Sequence, residues 1–181
     1  MVWEHAIREP RNWLLKGAAS LRAARVLRRQ IGAANDPYSA DLANVMVMLA
    51  AIAVENALKA IIVSGAAGVG APTGAFPTAI KGHDLAKLAA TATATDPVKV
   101  NVPSDADEKD AIEHGSFYTK TGGRYHSSLT FQEDPERPSL AFDVIDVYER
   151  IFLRAVRVVV ERTPGRNVQE LVEDFEKRVS V

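Results

Sequence analysis

Apolar residues recur at intervals of three and four along three long stretches of this chain, a spacing typical of amphipathic helices. The pattern predicts helices over Arg11 to Ile31, Ser39 to about Ser64, and Ser139 to Thr163. Pro10 suits the first turn of a helix, and Ser39 can cap the second one. Apolar residues run almost all round the first half of the second helix, which predicts burial on several sides.

Shorter patterns predict three more helices: His83 to about Thr95, Asp105 to Tyr118, and an amphipathic one from Asn167 to Val179. Ser104 and Asp107 form a capping pattern at the start of the fourth helix. The predicted connections are a mobile loop at Gly65 to Pro77, a connector at Asp96 to Ser104, and a polar loop at Thr119 to Pro138.

No stretch of useful length alternates with period two, since residues 98–102 do so over only five positions between prolines. We therefore predict an all-α protein, an up-and-down bundle of about five to six helices. With 181 residues the chain suits one domain, which we assign to residues 1–181.

Composition narrows the class of protein. Hydrophobic residues make up 47% and charged residues 25%, as in ordinary globular proteins, and the net charge of −1 favours neither nucleic acid nor an anionic membrane. The absence of cysteine excludes disulfides and zinc–thiolate sites. The apolar run from Leu42 to Val54 is shorter than the roughly 20 residues that span a bilayer. The charged N-terminal stretch is unlike an export signal, so we expect a cytoplasmic protein without a membrane partner.

The second helix carries Glu55, Asn56 and Lys59 within five positions. Such groups cost several kcal/mol when they are desolvated and unpaired, so partners are expected. Glu55 and Lys59 suit an ordinary i,i+4 ion pair on the surface or between helices. The functional alternative is a polar cluster that lines a groove, with Glu55 acting in proton transfer or orienting another group.

His83 and Asp84 open the third helix. One interpretation is that both side chains satisfy backbone amides at the helix start. The other brings His83 near Glu55 and Lys59 through helix packing, where an imidazole beside a carboxylate suits proton transfer.

Lys120, Arg124, Tyr125 and His126 flank the pair Gly122-Gly123. Glycines allow close backbone approach to a phosphate, and arginine offers a bidentate fork. The candidate anion-binding set consists of Lys59, Lys120, Arg124 and Tyr125. The alternative is that Arg124 pairs with the acidic fourth helix while Tyr125 packs on the core.

The first helix has a basic face that either follows a nucleic-acid backbone or pairs with acidic residues of the fifth or sixth helix. It consists of Arg11, Lys16, Arg22, Arg25, Arg28 and Arg29. No aromatic residue interleaves with these arginines, which disfavours base stacking there.

His114 beside Glu113 lacks the further ligands of a metal signature, and P-loop and nucleophile-elbow motifs are absent. We therefore expect neither a metal site nor a cofactor.

Three ordered segments resemble the HEPN superfamily of small helical bundles. They are Ala53-Val-Glu-Asn-Ala-Leu-Lys-Ala-Ile-Ile62, Gly82-His-Asp-Leu-Ala-Lys-Leu88 and Gly123-Arg-Tyr125. That family includes ribonucleases, many of them toxins of toxin–antitoxin or phage-defence systems, and non-catalytic dimeric partners of small nucleotidyltransferases.

The resemblance implies a homodimeric module associated with RNA or a nucleotide, with an antitoxin or nucleotidyltransferase as partner. If the protein cleaves RNA, we assign Arg124 and His126 as the catalytic residues, supported by Glu55 and His83, and expect a metal-independent reaction because no ligand set is evident. In the family's ribonucleases, however, an arginine precedes a histidine by four to six residues. Here one residue separates Arg124 from His126, which favours a non-catalytic member.

Two other functions remain open on the sequence. The apolar surfaces of the long helices suit a non-enzymatic interaction or dimerisation domain, in which the polar residues only specify packing. A small-molecule site between the second and fourth helices is a third possibility.

Overall fold

The computed structural model describes residues 7–33, 39–65, 80–122 and 143–163. Five α-helices and one π-helical turn lie wholly within these ranges, which contain no β-strand. The helices are α1 (Pro10–Ala33), α2 (Ser39–Ser64), α3 (Leu85–Thr95), α4 (Ala106–Phe117) and α5 (Val144–Arg162), and the π-helical turn is Tyr118–Gly122. The prediction of an all-α helical bundle is confirmed.

Helix α2 is the centre of the bundle and packs against α1, α3, α4 and α5. Nearly every residue between positions 50 and 63 is buried, including five alanines. Small side chains let several helices approach the same axis closely, which explains why the apolar residues of α2 extend around its whole circumference. By length and composition Leu42–Ser64 could cross a membrane, but 78% of its apolar 18-residue window is buried inside the protein.

Two glycines permit the closest contacts between helices. A Cβ on Gly17 of α1 would lie 2.9 Å from the Ala53 carbonyl oxygen and 2.5 Å from the Phe152 ring. A Cβ on Gly115 of α4 would lie 2.6 Å from Leu85 and 2.7 Å from the Tyr148 hydroxyl. Both positions therefore require a residue without a side chain.

Helices α1 and α5 run antiparallel. Arg25 contacts Glu149 and Arg28 contacts Asp146 at 2.6 Å, whereas Gly17, earlier in α1, meets Phe152, later in α5. The predicted pairing of basic residues of the first helix with acidic residues of the fifth is confirmed for Arg25 and Arg28.

The start of α4 differs by one residue from the predicted capping pattern of Ser104 and Asp107. Asp105 is the N-cap and accepts a hydrogen bond from the Glu108 amide at 2.9 Å, while Glu108 accepts one from the Ser104 amide at 2.8 Å. The return bond from Glu108 therefore reaches the amide before the N-cap, one residue earlier than in a capping box. Asp107 is exposed in the first turn, where its charge still suits the helix dipole.

The end of α4 also differs from the prediction that the helix ends at Tyr118 and a loop begins at Thr119. The chain continues as a π-helical turn because its side chains are held by the core. The buried Tyr118 donates to Asn44 Oδ1 at 3.0 Å, and the Thr119 hydroxyl lies 3.1 Å from the Gly115 carbonyl oxygen.

Helix α3 begins two residues later than predicted, because Asp84 is its N-cap. Helices α1 and α2 have nearly the predicted bounds. The predicted loop at 66–77, most of the polar loop from residue 123, the first residues of the fifth helix and the sixth helix lie outside the described residues.

Candidate functional site

A buried carboxylate joins two basic side chains from different helical segments. Glu55 Oε1 lies 2.7 Å from Lys59 Nζ, one turn along α2, and 2.8 Å from His83 Nδ1, just before α3. The side chains of Glu55 and Lys59 are only 4% and 5% exposed, whereas the His83 side chain is 39% exposed. The cluster therefore connects the core to the surface through the imidazole.

The ammonium of Lys59 also faces an aromatic ring. Lys59 Nζ lies 5.3 Å from the Trp13 ring centroid, within cation–π range, and Lys16 lies 5.2 Å from the same centroid. The Trp13 indole N–H donates to the Ile7 carbonyl oxygen at 2.8 Å. Helix α1 thus fixes the ring that covers the buried charge.

Asn56 takes no part in these contacts. Its amide nitrogen donates to the Ile52 carbonyl oxygen at 2.7 Å, one turn earlier in α2. This local bond satisfies the buried amide group within its own helix.

The backbone that carries His83 is fixed by α4 and the π-helical turn. The Thr119 hydroxyl donates to the His83 carbonyl oxygen, and Ser116 Oγ accepts from the Ala86 amide at 3.1 Å. Thr119 is fully buried. Helix α4 and the π-helical turn thus form a frame around the backbone of residues 83–86, from which the imidazole contacts Glu55.

Asp84 adds two contacts to this frame near the surface. It caps α3 through the Lys87 amide at 3.1 Å and pairs with Lys120 Nζ at 2.5 Å. Partial desolvation raises the pKa of Asp84, but the hydrogen bonds from Lys120 and from the Lys87 amide outweigh it, so the net pKa is lowered. Asp84 is thus stabilised as a carboxylate.

The hydrogen bond with Glu55 determines which nitrogen of the His83 imidazole carries the proton. An ionised carboxylate only accepts hydrogen bonds, so its contact with Nδ1 requires the proton on that nitrogen. In neutral imidazole this assigns the acceptor role to Nε2. An imidazole oriented by a carboxylate in this way suits general acid–base chemistry.

The exposed groups around His83 are mainly basic. Lys81, Lys87 and Lys120 are exposed in the segments that surround it, and the nearby carboxylate Asp84 is paired. Positive charge around this polar surface favours an anionic ligand.

The structure thus brings together Glu55, Lys59 and His83 and joins Lys120 to Asp84 beside them. The i,i+4 ion pair expected of Glu55 and Lys59 forms, but its expected place at the surface is wrong, because both side chains are buried within the bundle. Asp84 caps α3 as the simpler interpretation expected, whereas the His83 side chain turns to Glu55. Arg124, Tyr125 and His126 lie outside the described residues.

Sequence reasoning missed a second buried carboxylate. Glu108 is fully buried and accepts from both arginines that face it, Arg154 at 2.7 Å and Arg150 at 3.2 Å. Arg154 also donates to the Asn101 carbonyl oxygen at 2.8 Å. The i,i+4 spacing of the two arginines on α5 was the available signal, but the position of Glu108 opposite them depends on tertiary packing.

Within the part of the chain that the structure describes, no three His, Cys, Asp or Glu side chains are grouped to hold a metal ion. Comparisons of the chain with protein-family models, with curated proteins and with solved structures find no significant match. The resemblance to the HEPN superfamily therefore stays a prediction.

Proposed function

We propose that this chain is a HEPN-like helical domain that associates with RNA or a nucleotide at the His83 surface. In this proposal it acts in the cytoplasm as a homodimer, in a toxin–antitoxin or defence setting, with an antitoxin or small nucleotidyltransferase as partner. The observation that carries the proposal is the convergence of Glu55, Lys59 and His83 from segments 28 positions apart.

Two features of the cluster support an anionic ligand. The His83 imidazole is 39% exposed while its Glu55 partner is buried, so a ligand can reach the ring without disturbing the carboxylate. The exposed Lys81 and Lys87 add positive charge around it, and Lys120 lies beside them in a pair with Asp84. RNA and nucleotides supply phosphate groups that suit such a surface.

If the protein cleaves RNA, we assign phosphate stabilisation to Arg124 and acid–base work or activation of the 2′-hydroxyl to His126. Glu55 and His83 then support this chemistry by holding an oriented proton acceptor at the edge of the site. The reaction would proceed without a metal ion.

Cleavage is tested by incubating purified protein with mixed RNA in EDTA, alongside an Arg124→Ala/His126→Ala variant and a His83→Ala variant. Cleavage by the wild type that both variants reduce at least about tenfold supports the assignment. Equal, negligible cleavage by all three proteins would contradict the nuclease activity. Only the proposed association with RNA or a nucleotide would then remain.

Association is tested separately by fluorescence anisotropy with a labelled single-stranded RNA and with a labelled nucleotide at several salt concentrations. We expect binding to weaken with salt and to fall in a Lys87→Ala/Lys120→Ala variant. Lys109→Ala, at an exposed position of α4, is the matched control. Binding that is absent, or equal in all three proteins, contradicts the proposal.

A second function, a non-enzymatic interaction or dimerisation domain, is favoured by the burial of Lys59. Its ammonium meets Glu55 and Trp13 within the protein, as expected of a group that specifies packing. Light scattering at micromolar concentration tests this function, because a strictly monomeric protein without a copurifying partner would count against it.

A further inference from the structure

A partly exposed tryptophan ring lies beside the cluster that contains His83. Trp13 packs against the core but keeps part of its surface accessible. Of the phenylalanine, tyrosine and tryptophan rings in the described residues, only Trp13 and Phe117 are partly exposed. Phe117 packs edge-on against Tyr118, whereas Trp13 meets the ammonium groups of two lysines. Trp13 is therefore the candidate ring for a stacking contact with a ligand.

The Trp13 ring is close to His83. Its centroid lies 5.3 Å from Lys59 Nζ, which lies 2.7 Å from Glu55 Oε1. The same carboxylate oxygen lies 2.8 Å from His83 Nδ1. The ring centroid and the imidazole nitrogen are therefore no farther apart than these three distances together. Because a single ribose separates the base of a nucleotide from its phosphate, one nucleotide is long enough to contact both rings.

A hydrogen bond fixes the orientation of the Trp13 ring. The indole N–H donates to the Ile7 carbonyl oxygen at 2.8 Å, so the ring cannot turn without breaking this bond. A ring that is already held in place loses little freedom when a ligand stacks on it. The contact with Lys59 places Trp13 on the side of α1 that faces α2, away from the exposed arginines. The absence of aromatic residues among those arginines therefore does not bear on this ring.

The exposed neighbour of the ring is a lysine that a ligand can displace. Lys16 Nζ lies 5.2 Å from the Trp13 centroid, and the Lys16 side chain is exposed. No carboxylate in the described residues pairs with Lys16. Stacking of a base on an aromatic side chain is stronger than an exposed cation–π contact, so a base can take the place of the ammonium. The displaced Lys16 keeps its positive charge close to an anionic ligand.

We propose that the ligand at the His83 surface is recognised as one nucleotide unit, with its base stacked on Trp13 and its phosphate beside His83, Lys81 and Lys87. A free nucleotide and a nucleotide within single-stranded RNA supply the same chemistry. This proposal rests on the proposed function, because the phosphate contact is the one assigned there. It adds the base as a second point of recognition and Trp13 as a binding residue.

Calorimetric titration of the full chain with two small compounds separates the base contact from the phosphate contact. AMP and ribose 5-phosphate carry the same phosphate on the same sugar, but only AMP has a base. We expect AMP to bind the wild-type protein at least about tenfold more tightly than ribose 5-phosphate, because of the stacked base. His83→Ala should weaken the binding of both compounds by a similar factor, since it alters only the phosphate contact.

Substitutions of Trp13 identify the ring that the base contacts. Trp13→Leu should weaken AMP binding about tenfold and change ribose 5-phosphate binding by less than about threefold. Trp13→Phe keeps an aromatic face and should retain most of the AMP affinity. Phe117→Leu, at the other partly exposed ring, is the control and should leave both affinities unchanged. If Trp13 only covers the buried Lys59, Trp13→Leu would weaken both compounds equally, and this result would overturn the base contact.

Fluorescence tests the same contact without a change at Trp13. The chain has two tryptophans, so Trp3→Phe leaves Trp13 as the only one. Saturating AMP should quench the Trp13 emission of this variant, because the base lies on the ring, whereas saturating ribose 5-phosphate should not. AMP that binds without quenching would overturn the base contact.

The titrations also distinguish this proposal from the proposed function. Equal affinities for AMP and ribose 5-phosphate, both weakened by His83→Ala, would overturn the base contact and support the phosphate contact. Binding of neither compound nor of a short oligoadenylate RNA, or binding that His83→Ala leaves unchanged, would overturn both. An oligoadenylate that binds at least about tenfold more tightly than AMP would support RNA as the source of the nucleotide unit, and a weaker one would support a free nucleotide.

Discussion

At the scale of single residues, the cluster of Glu55, Lys59 and His83 is unusual because its two charged members are both almost fully buried. Breaking a buried pair by removing one partner leaves an uncompensated charge, whereas removing both leaves none. The stability of this cluster should therefore depend strongly on which partner is lost.

Lys59→Met should lower the free energy of unfolding by about 3–5 kcal/mol, less any compensation from His83, which lies 2.8 Å from the same oxygen, because the buried Glu55 loses the ammonium at 2.7 Å. Urea unfolding measures this change. The double variant Glu55→Leu/Lys59→Met should lose less than the sum of its single variants. Lys109→Met is the control, since Lys109 and Glu113 form an exposed i,i+4 pair worth at most about 0.5 kcal/mol. Equal losses in Lys59→Met and Lys109→Met would contradict the buried pair.

Asp84 predicts a dependence on pH. Its folded pKa lies below the ordinary value of 3.8, so the carboxylate stabilises the fold above that pH, and this contribution is lost as the pH falls through the folded pKa. Asp84→Asn keeps a side-chain oxygen for the cap and removes only the charge. It should cost up to about 1 kcal/mol at pH 7, since the side chain is partly exposed.

The difference between the wild type and Asp84→Asn should therefore shrink as urea unfolding is repeated from pH 7 toward pH 2.5. In a Lys120→Met background the effect at pH 7 should be smaller, because Lys120 is the charged partner of Asp84. A difference that stays constant over this pH range would show that the charge of Asp84 is not what stabilises α3.

At the scale of helices, Gly115 shows how packing overrides helix propensity. Alanine is a better helix former by about 1 kcal/mol, yet a Cβ at this position would meet Leu85 and the Tyr148 hydroxyl at 2.6–2.7 Å. That hydroxyl donates to the Ala111 carbonyl oxygen at 2.8 Å. Movement of Tyr148 would therefore strain a buried hydrogen bond as well.

Gly115→Ala should consequently lower the free energy of unfolding by about 1–3 kcal/mol, the usual cost of overpacking. Differential scanning calorimetry or urea unfolding measures it. In the double variant with Leu85→Ala the two losses should not add, because the smaller side chain makes room for the new methyl group. A stabilised Gly115→Ala protein would mean that α4 lies farther from α3 and α5 than the structure shows.

The helices themselves were largely predictable, because the apolar spacing of α1 and α2 depends on local sequence. Their exact starts were less so. Ser104 and Asp105 are both plausible caps by residue type, and only the position of Glu108 beneath the arginines of α5 selects Asp105. The π-helical turn had no local signal, because Tyr118 and Thr119 are held there by Asn44 and His83.

At the scale of the whole molecule, the candidate site was predictable in composition and only partly in geometry. Polar groups in a buried helix must have partners, which identified Glu55 and Lys59. That His83 is one of those partners depends on how α3 packs against α2, and the Trp13 ring over Lys59 depends on α1. No pattern of residues along the sequence indicates either contact.

A second polar cluster joins parts of the molecule that are distant in sequence. Its removal tests how strongly these parts stabilise one another. Arg154 of α5 donates to Glu108 at the start of α4, to the Asn101 carbonyl oxygen and to Ser104 Oγ at 3.0 Å. One guanidinium thus holds α5, α4 and the connector before α4 in place. Glu108 is fully buried, so its charge needs this partner.

Arg154→Met should lower the free energy of unfolding by about 3–5 kcal/mol, less any compensation from Arg150, which lies 3.2 Å from Glu108. Hydrogen exchange should show the largest loss of amide protection in Ala106–Phe117 and the preceding connector, since these are the elements that Arg154 holds. Arg157→Met, one turn along α5 and exposed, should change stability by at most about 0.5 kcal/mol. If protection instead falls evenly over all helices, the arginine stabilises the bundle as a single unit, and α4 has no separate dependence on it.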